Sequence, residues 1–370
     1  MFIRQLRSVK SSGSTALCTT ALLALTLSST AEAQTERRTL SGEHVAIYNI
    51  VGEVRLEPGS GRDVEVSVTM RGADAKRLRI DTRTVRGLPT LVIDYPEDEI
   101  VYRDNERSRW GSTDSRIRED GTWGSIEGSQ SRRNWSDYRR IKVKGSGSGL
   151  EAWADIVVRV PDGRAVDAFL MVGSLSANGV RGDVRLDGSA ARVTAERITG
   201  VLNVDAGSGG VTLRDIRGPL LDVDVGSGGI TLEDVRSDRC TLDTGSGTVT
   251  GTNVSCADLS ADSGSGGVRF TNASFSTVSV DVGSGGVSLD LTSSPRSVSV
   301  ESGSGGVTLS LPDNVNATLD IETGSGGITT DFPIRTNRVE RNSLRGTIGD
   351  GAGRISIETG SGSVRLKRRP

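Results

Sequence analysis

Gly-Ser-Gly recurs along this chain at Gly207, Gly226, Gly245, Gly264, Gly283, Gly303, Gly324 and Gly360. The intervals are 19, 19, 19, 19, 20, 21 and 36 residues, and degenerate copies begin at Gly173 and Gly188. A fixed period of this size marks a chain of stacked units rather than one conventional globular core. The flanks say what each unit is. Apolar residues stand three and five positions before each first glycine, as in Leu221/Val223, Val298/Val300 and Ile355/Ile357. Past the turn the series Val211, Ile230, Val249, Val268, Val287, Val307, Ile328 and Val364 holds the fourth position after that glycine. Both flanks alternate with period two and favour β-branched residues, which is strand character.

One strand–turn–strand unit cannot bury its apolar face alone. Units stacked in register pair their backbones at ~4.8 Å per rung and line up equivalent side chains as ladders. The expected fold is all-β: a single-stranded parallel β-solenoid, β-helix-like, with ~19-residue rungs and an N-terminal β cap. About ten rungs make a stack some ~45–50 Å long. Its core is narrow, which suits Val, Leu and Ile and agrees with an aromatic content of only 4%. Glycine fits the turn in two ways: it allows positive φ, and it lets successive turns approach without a Cβ clash. The turn serines are placed to form a hydroxyl ladder. The 36-residue interval before Gly360 reads as one wide rung or two imperfect ones. Lys367, Arg368, Arg369 and Pro370 read as charge and proline blunting an open β edge.

Residues 1–33 read as a signal peptide, with Arg4, Arg7 and Lys10, an apolar run from Thr15 to Leu27, and Ala31-Glu32-Ala33 before Gln34. Cys18 falls inside that run. No later apolar stretch approaches ~18 residues, so no membrane span is expected in the mature form. The protein is therefore expected to be exported, to the periplasm or beyond the cell. That compartment is oxidising, and Cys240 and Cys256 lie 16 residues apart, close to one turn of the solenoid, so a disulfide between them is a candidate.

Residues 34–97 alternate as strands (Val45, Ile47, Val54, Leu56, Val64, Val66, Val68) and read as the capping module, while 152–370 form the repeat domain. Between them, 98–151 lose periodicity. Residues 98–144 hold eleven basic and nine acidic residues together with Trp110, Trp123, Trp135, Tyr102 and Tyr138. Two readings stand: a polar disordered insertion, or a binding arm, because Trp, Tyr and Arg are favoured interface anchors.

The acids Asp205, Asp224, Asp243, Asp262, Asp281, Glu301, Glu322 and Glu358 lie two residues before the turns, in the outward phase of the strand. Stacking makes them one carboxylate column. Solvent, turn amides or cations must offset a repulsion of about 1 kcal/mol between neighbours in bulk water. The acids precede the glycines, unlike the calcium-binding G-G-x-G-x-D repeat, and no metal site is expected. The turns lack the Lys and following helix of a phosphate-binding loop, and no cofactor is expected. One histidine, His44, leaves little room for a His-ligated metal or a Ser-His-Asp triad, and it reads as chemically idle. Evenly repeated acids lack the local asymmetry of a catalytic site, so no enzyme is expected. A balance of 45 basic against 47 acidic residues gives no field for nucleic acid.

The stretches "VAIYNIVGEVRLEPGSGRDVEVSV" at 45–68, "ADIVVRVPDG" at 154–163, the "VDVGSGGITLEDV" repeats and "GDGAGRISIETGSGSVRL" at 349–366 resemble a bacterial family of exported β-strand-repeat proteins of unknown function that carry the label adhesin. The resemblance covers nearly the whole mature chain apart from the insertion. It implies a β-solenoid outside the cytoplasm and supplies no catalytic residues. The function expected is a non-catalytic adhesin or envelope-binding module whose partner is a surface protein or polysaccharide. A structural or signalling scaffold, and a polysaccharide-active β-helix enzyme, are the alternatives.

Overall fold

The computed structural model describes residues 34–103, 111–124 and 138–369. The leader 1–33, with Cys18, lies outside them, as do Trp110 and Trp135. Among the described residues every regular element is a β-strand except one 3-10 turn, Ala75–Arg77.

The repeats stack in parallel at the sequence period. Ahead of the turns, Leu202 pairs with Leu221, Leu221 with Cys240, Cys240 with Leu259 and Leu259 with Val278. After the turns, Val211 pairs with Ile230, Ile230 with Val249 and Val249 with Val268. Each rung thus contributes to a front wall before Gly-Ser-Gly and a rear wall after it. The residues facing inward from both walls are buried, and Val223, Ile230, Val249 and Ile355 have no exposed surface.

The turn glycines are required for close approach. A Cβ on Gly209, Gly228 or Gly247 would stand 1.7, 2.1 or 1.9 Å from a carbonyl oxygen of the neighbouring turn. None of the three has positive φ, so the expected left-handed role is absent at these positions. Positive φ is found instead at the opposite corner, at Asp215, Asp234, Asn253 and Asn272 (49° to 57°), residue types that tolerate it. There Asn253 Nδ2 donates to Asp234 Oδ1 at 2.9 Å and Asn272 Nδ2 to Asn253 Oδ1 at 2.6 Å. The structural hydroxyls are likewise not the turn serines. They belong to the residue before the first glycine: Thr244 Oγ1 donates to Gly228 O (2.9 Å) and accepts from Gly247 N (3.0 Å), and Ser263 Oγ donates to Gly247 O (3.0 Å).

The N-terminal region is continuous with the stack. His44–Pro58 pairs in parallel with Ala165–Asn178 over twelve positions and so acts as a rung. Beyond it, Leu88–Asp94 pairs with its first half and Trp153–Val160 with its second. Antiparallel strands Arg79–Val85, Val64–Arg71 and Gln34–Leu40 then extend the two walls.

The described part of the insertion departs from the expectation of disorder. Its described residues form a three-stranded sheet of Glu99–Val101, Ser112–Arg118 and Tyr138–Lys144. Ile100, Ile117, Ile141 and Val143 are buried. These strands carry too few aliphatic residues, between charged neighbours, for their alternation to stand out in sequence.

The stacking order at the far end differs from the chain order. Gly353–Thr359 lies between Ser297–Ser302 and Ala317–Thr323, and Val364–Arg368 lies between Val307–Leu311 and Ile328–Thr330. The 36-residue interval is therefore neither a wide rung nor two imperfect ones. The chain passes beyond one rung position, builds the next rung and the hairpin Arg335–Val339/Ser343–Ile348, then returns to fill the gap. The strand that carries Lys367 and Arg368 is thus an interior one through Leu366, and these two residues pair with Ser310 and Leu311 on one side rather than forming the last rung of the stack.

Candidate functional site

Register aligns the acids as one outward column. Asp187 pairs with Asp205, followed by Asp224, Asp243, Asp262, Asp281, Glu301, Glu358 and Glu322. Glu358 falls before Glu322 because of the return strand. At the far end Arg345 pairs with Asp320 (2.9 Å) and Glu322 (2.8 Å). From Asp205 to Glu358 no column acid has an ion-pair partner among the described residues. The turn amides that were candidates to hold them bind the buried hydroxyls instead, as Gly247 N does with Thr244.

At the near end the same column turns aromatic. Asp187 pairs with Phe169, and Phe169 with Tyr48. The Tyr48 and Phe169 rings stack with centroids 4.1 Å apart and planes within 3°. Trp123, from the loop after Ser112–Arg118, stands edge-on to Tyr48 at 5.3 Å and to Phe169 at 6.4 Å. That loop is held by Arg118, which donates to Gly124 O (2.8 Å) and Thr122 Oγ1 (3.2 Å). Gly124 lies directly over Asp187: a Cβ there would stand 2.6 Å from Asp187 Oδ2. Asp187 is consequently 6% exposed. Burial, then the charge of Asp205, push its carboxyl up to about 7, against the opposing pull of Arg185. Burial raises Tyr48 as well.

Two residues along each strand runs a second outward column: Asp167, Arg185, Asn203 and Asp222. Arg185 lies between the aromatic and acidic ends. Its guanidinium is 5.8 Å from the Phe169 centroid and 3.9 Å from Asp187. His44, in the first rung, meets Asp167 Oδ1 through Nε2 at 2.8 Å, and this hydrogen bond raises the imidazole above its ordinary value against the effect of burial. A pocket of about 340 Å³ opens here, lined by His44, Asp167, Arg185, Asn203, Asp205, Asp222 and Asp224. Burial raises Asp205 and Asp222 too; at Asp205 the neighbouring Asp224 adds to the rise. Three buried polar atoms around this junction have no hydrogen-bond partner among the described residues: Tyr48 Oη, Trp123 Nε1 and Arg185 Nε. Among the described residues no three His, Cys, Asp or Glu side chains converge as metal ligands.

Two of the expected aromatic contact residues, Trp123 and Tyr102, are thus packing residues. Trp123 is 5% exposed under the loop, and Tyr102 is 7% exposed and edge-on to Trp153 at 5.5 Å. Tyr138 is half-buried in its strand. His44, read as idle, is hydrogen-bonded to Asp167. Asp167, Arg185 and Asp187 were not singled out in the sequence. The available signal was a break in the ladder: the acid of the degenerate copy at Gly188 stacks on Phe169 rather than on another acid.

The family model Toastrack DUF4097 matches residues 137–367. No curated protein matches the chain. A crystal structure of a "putative cell adhesion protein" from Clostridium sporogenes is similar over 91% of this chain and all of that one, at 11% identity and a TM-score of 0.21.

Proposed function

From the premise that the chain belongs to the Toastrack DUF4097 family, we propose that it is a non-catalytic extracytoplasmic module that binds an envelope or surface polysaccharide. The observation that carries this reading is the pocket at the aromatic–acid junction, the place where an otherwise monotonous wall becomes singular. Donors from His44, Arg185 and Asn203 face acceptors from Asp205, Asp222 and Asp224, an arrangement suited to the mixed donor–acceptor edges of hydroxyl-rich ligands. Export rests on the sequence of the leader, and the Cys240–Cys256 disulfide suits an oxidising compartment.

Catalysis fits the site poorly. Asp187 is the carboxyl best poised to hold a proton near neutral pH, yet Gly124 covers it. A general acid must reach the bond it protonates.

The test is binding of the mature protein to isolated envelope polysaccharides, compared with Arg185→Ala, Asp222→Asn and, as a mid-column control, Asp262→Asn. Loss of about tenfold or more in affinity for the first two, with the control unchanged, supports the reading. Retained binding in both site variants refutes the pocket. Binding only to an envelope protein would replace the polysaccharide as partner. No binding to either would leave the scaffold reading, and release of shorter saccharides would make the protein an enzyme.

A further inference from the structure

The return strands occupy a slot whose two lips come from other parts of the chain. One lip is Ser297–Ser302 with Val307–Leu311, and the other is Ala317–Thr323 with Ile328–Thr330. Consecutive in sequence, these two rungs do not pair with each other. Every ladder bond between them runs through residues 353–368. Ile355 sits between Val298 and Leu319, Ile357 between Val300 and Ile321, and Val364 between Val307 and Ile328. The turn repeats the pattern: Gly360 N donates to Ser302 O (3.0 Å) and Gly324 N to Thr359 O (2.9 Å). All four inward side chains of the segment, Ile355, Ile357, Val364 and Leu366, are buried to 1% or less.

An empty slot would expose two facing rows of backbone donors and acceptors and an apolar floor, the feature that a donated β-strand fills. The segment is joined to the preceding hairpin only through 349–352, where Gly349 and Gly351 have φ of +61° and +78°. Its other attachments are non-covalent. The farthest is Arg369, which reaches Asp290 Oδ1 at 3.1 Å and Asn272 Oδ1 at 2.8 Å. Nothing in the contacts depends on which molecule supplies the segment, because both lips recognise it through backbone pairing and inward aliphatics.

We propose that residues 353–368 are an exchangeable strand pair, and that the slot takes the same segment of a second copy of this chain. Exchange preserves every ladder contact and changes only the path of the 349–352 connection, the condition under which domain swapping is thermodynamically cheap.

The register supplies the test. Ser299 and Ser356 are paired neighbours. A full-length Ser299→Cys/Ser356→Cys chain is expected to close an internal disulfide, which checks the geometry. Ser299→Cys and Ser356→Cys chains, mixed, unfolded with the Cys240–Cys256 bond intact and refolded together, are expected to give a covalent heterodimer on non-reducing gels. Deleting Asp350–Ala352, which hinders return within one chain, is expected to raise the dimer-to-monomer ratio about tenfold. The proposal is overturned if the double variant closes its own bond while the mixture gives only monomers at every concentration. A covalent heterodimer that also forms between Ser356→Cys and a Thr241→Cys chain, whose position lies outside the slot, would equally overturn it, since the cross-link would then be random. If the hinge deletion fails to fold, the cysteine pairs still decide.

Discussion

Cys240 is bonded to Cys256, yet the two are not register mates: Cys240 pairs with Leu259, and Cys256 with Ser237. The bridge therefore crosses diagonally between successive rungs. Both residues are buried, at 0% and 3% exposure. Replacing both by Ala should cost about 3 kcal/mol, the loop-closure value for a 16-residue separation, read from urea unfolding. The native protein should resist reductant until denaturant is added, because the sulfurs are covered.

Gly228 and Gly229 should respond very differently to a methyl group. At Gly228 a Cβ would lie 2.1 Å from Gly209 O, whereas at Gly229 the nearest atom, Thr248 O, is 3.3 Å away. Gly228→Ala is expected to cost ~1–3 kcal/mol or more through forced backbone movement. Gly229→Ala is expected to cost less than half of that. The chain itself places Thr248 and Ser363 at the equivalent positions of other rungs. Equal thermal shifts for the two variants would contradict the close-approach explanation.

Val223 faces the core and Thr231 faces solvent. Val223→Asn should destabilise by ~2–5 kcal/mol, since it removes packing and buries an amide without partners. Thr231→Asn should change stability by under ~0.5 kcal/mol. Chemical denaturation of the two variants checks the assignment of inward and outward phases.

Asp187 gives the protein a pH dependence. Its folded carboxyl is raised to about 7 from 3.8, so the folded state holds a proton that the unfolded state releases. The associated stability is present below about pH 4 and is lost as pH rises toward 7, levelling off above. The total is on the order of 4 kcal/mol. Asp187→Asn should match the parent near pH 4 and melt higher at pH 8. A variant whose melting curve tracks the parent at both pH values would show that Asp187 is not buried as described.

Trp123→Ala should destabilise by ~3–5 kcal/mol, because the indole covers the Tyr48–Phe169 stack. Trp123→Phe should cost much less, since the indole N–H has no partner to lose among the described residues. Both values can be read from thermal unfolding, and a neutral Trp123→Ala would return this residue to the role of a contact aromatic.

The parts legible in sequence are those governed by local repetition. Period-two alternation around Gly-Ser-Gly determined the all-β class, the inward ladders and the outward acid column, because identical spacing forces identical side chains into register. The same reasoning placed Cys240 in an apolar ladder and Cys256 about one turn away. It failed where a segment's partners are distant in sequence. Trp123 looked free for a ligand because nothing local shows that Tyr48 and Phe169, from strands 121 residues apart, stack beneath it. His44 looked idle because Asp167 lies 123 residues away.

The periodic sequence by itself determined what a rung is: which residues face in, which face out, and why the turn must be glycine. Only the tertiary structure decided which rung lies next to which. Val300 could pair with Ile321 as readily as with Ile357, since all three are aliphatics at equivalent offsets, yet residues 353–368 stand between them. It also decided that the loop carrying Trp123 and Gly124 closes over Phe169 and Asp187, giving one carboxyl of a uniform series a different affinity for protons. The physical reason is the same in both cases: backbone pairing and burial depend on neighbours in space, and a repeated sequence presents many equivalent neighbours among which local pattern does not discriminate.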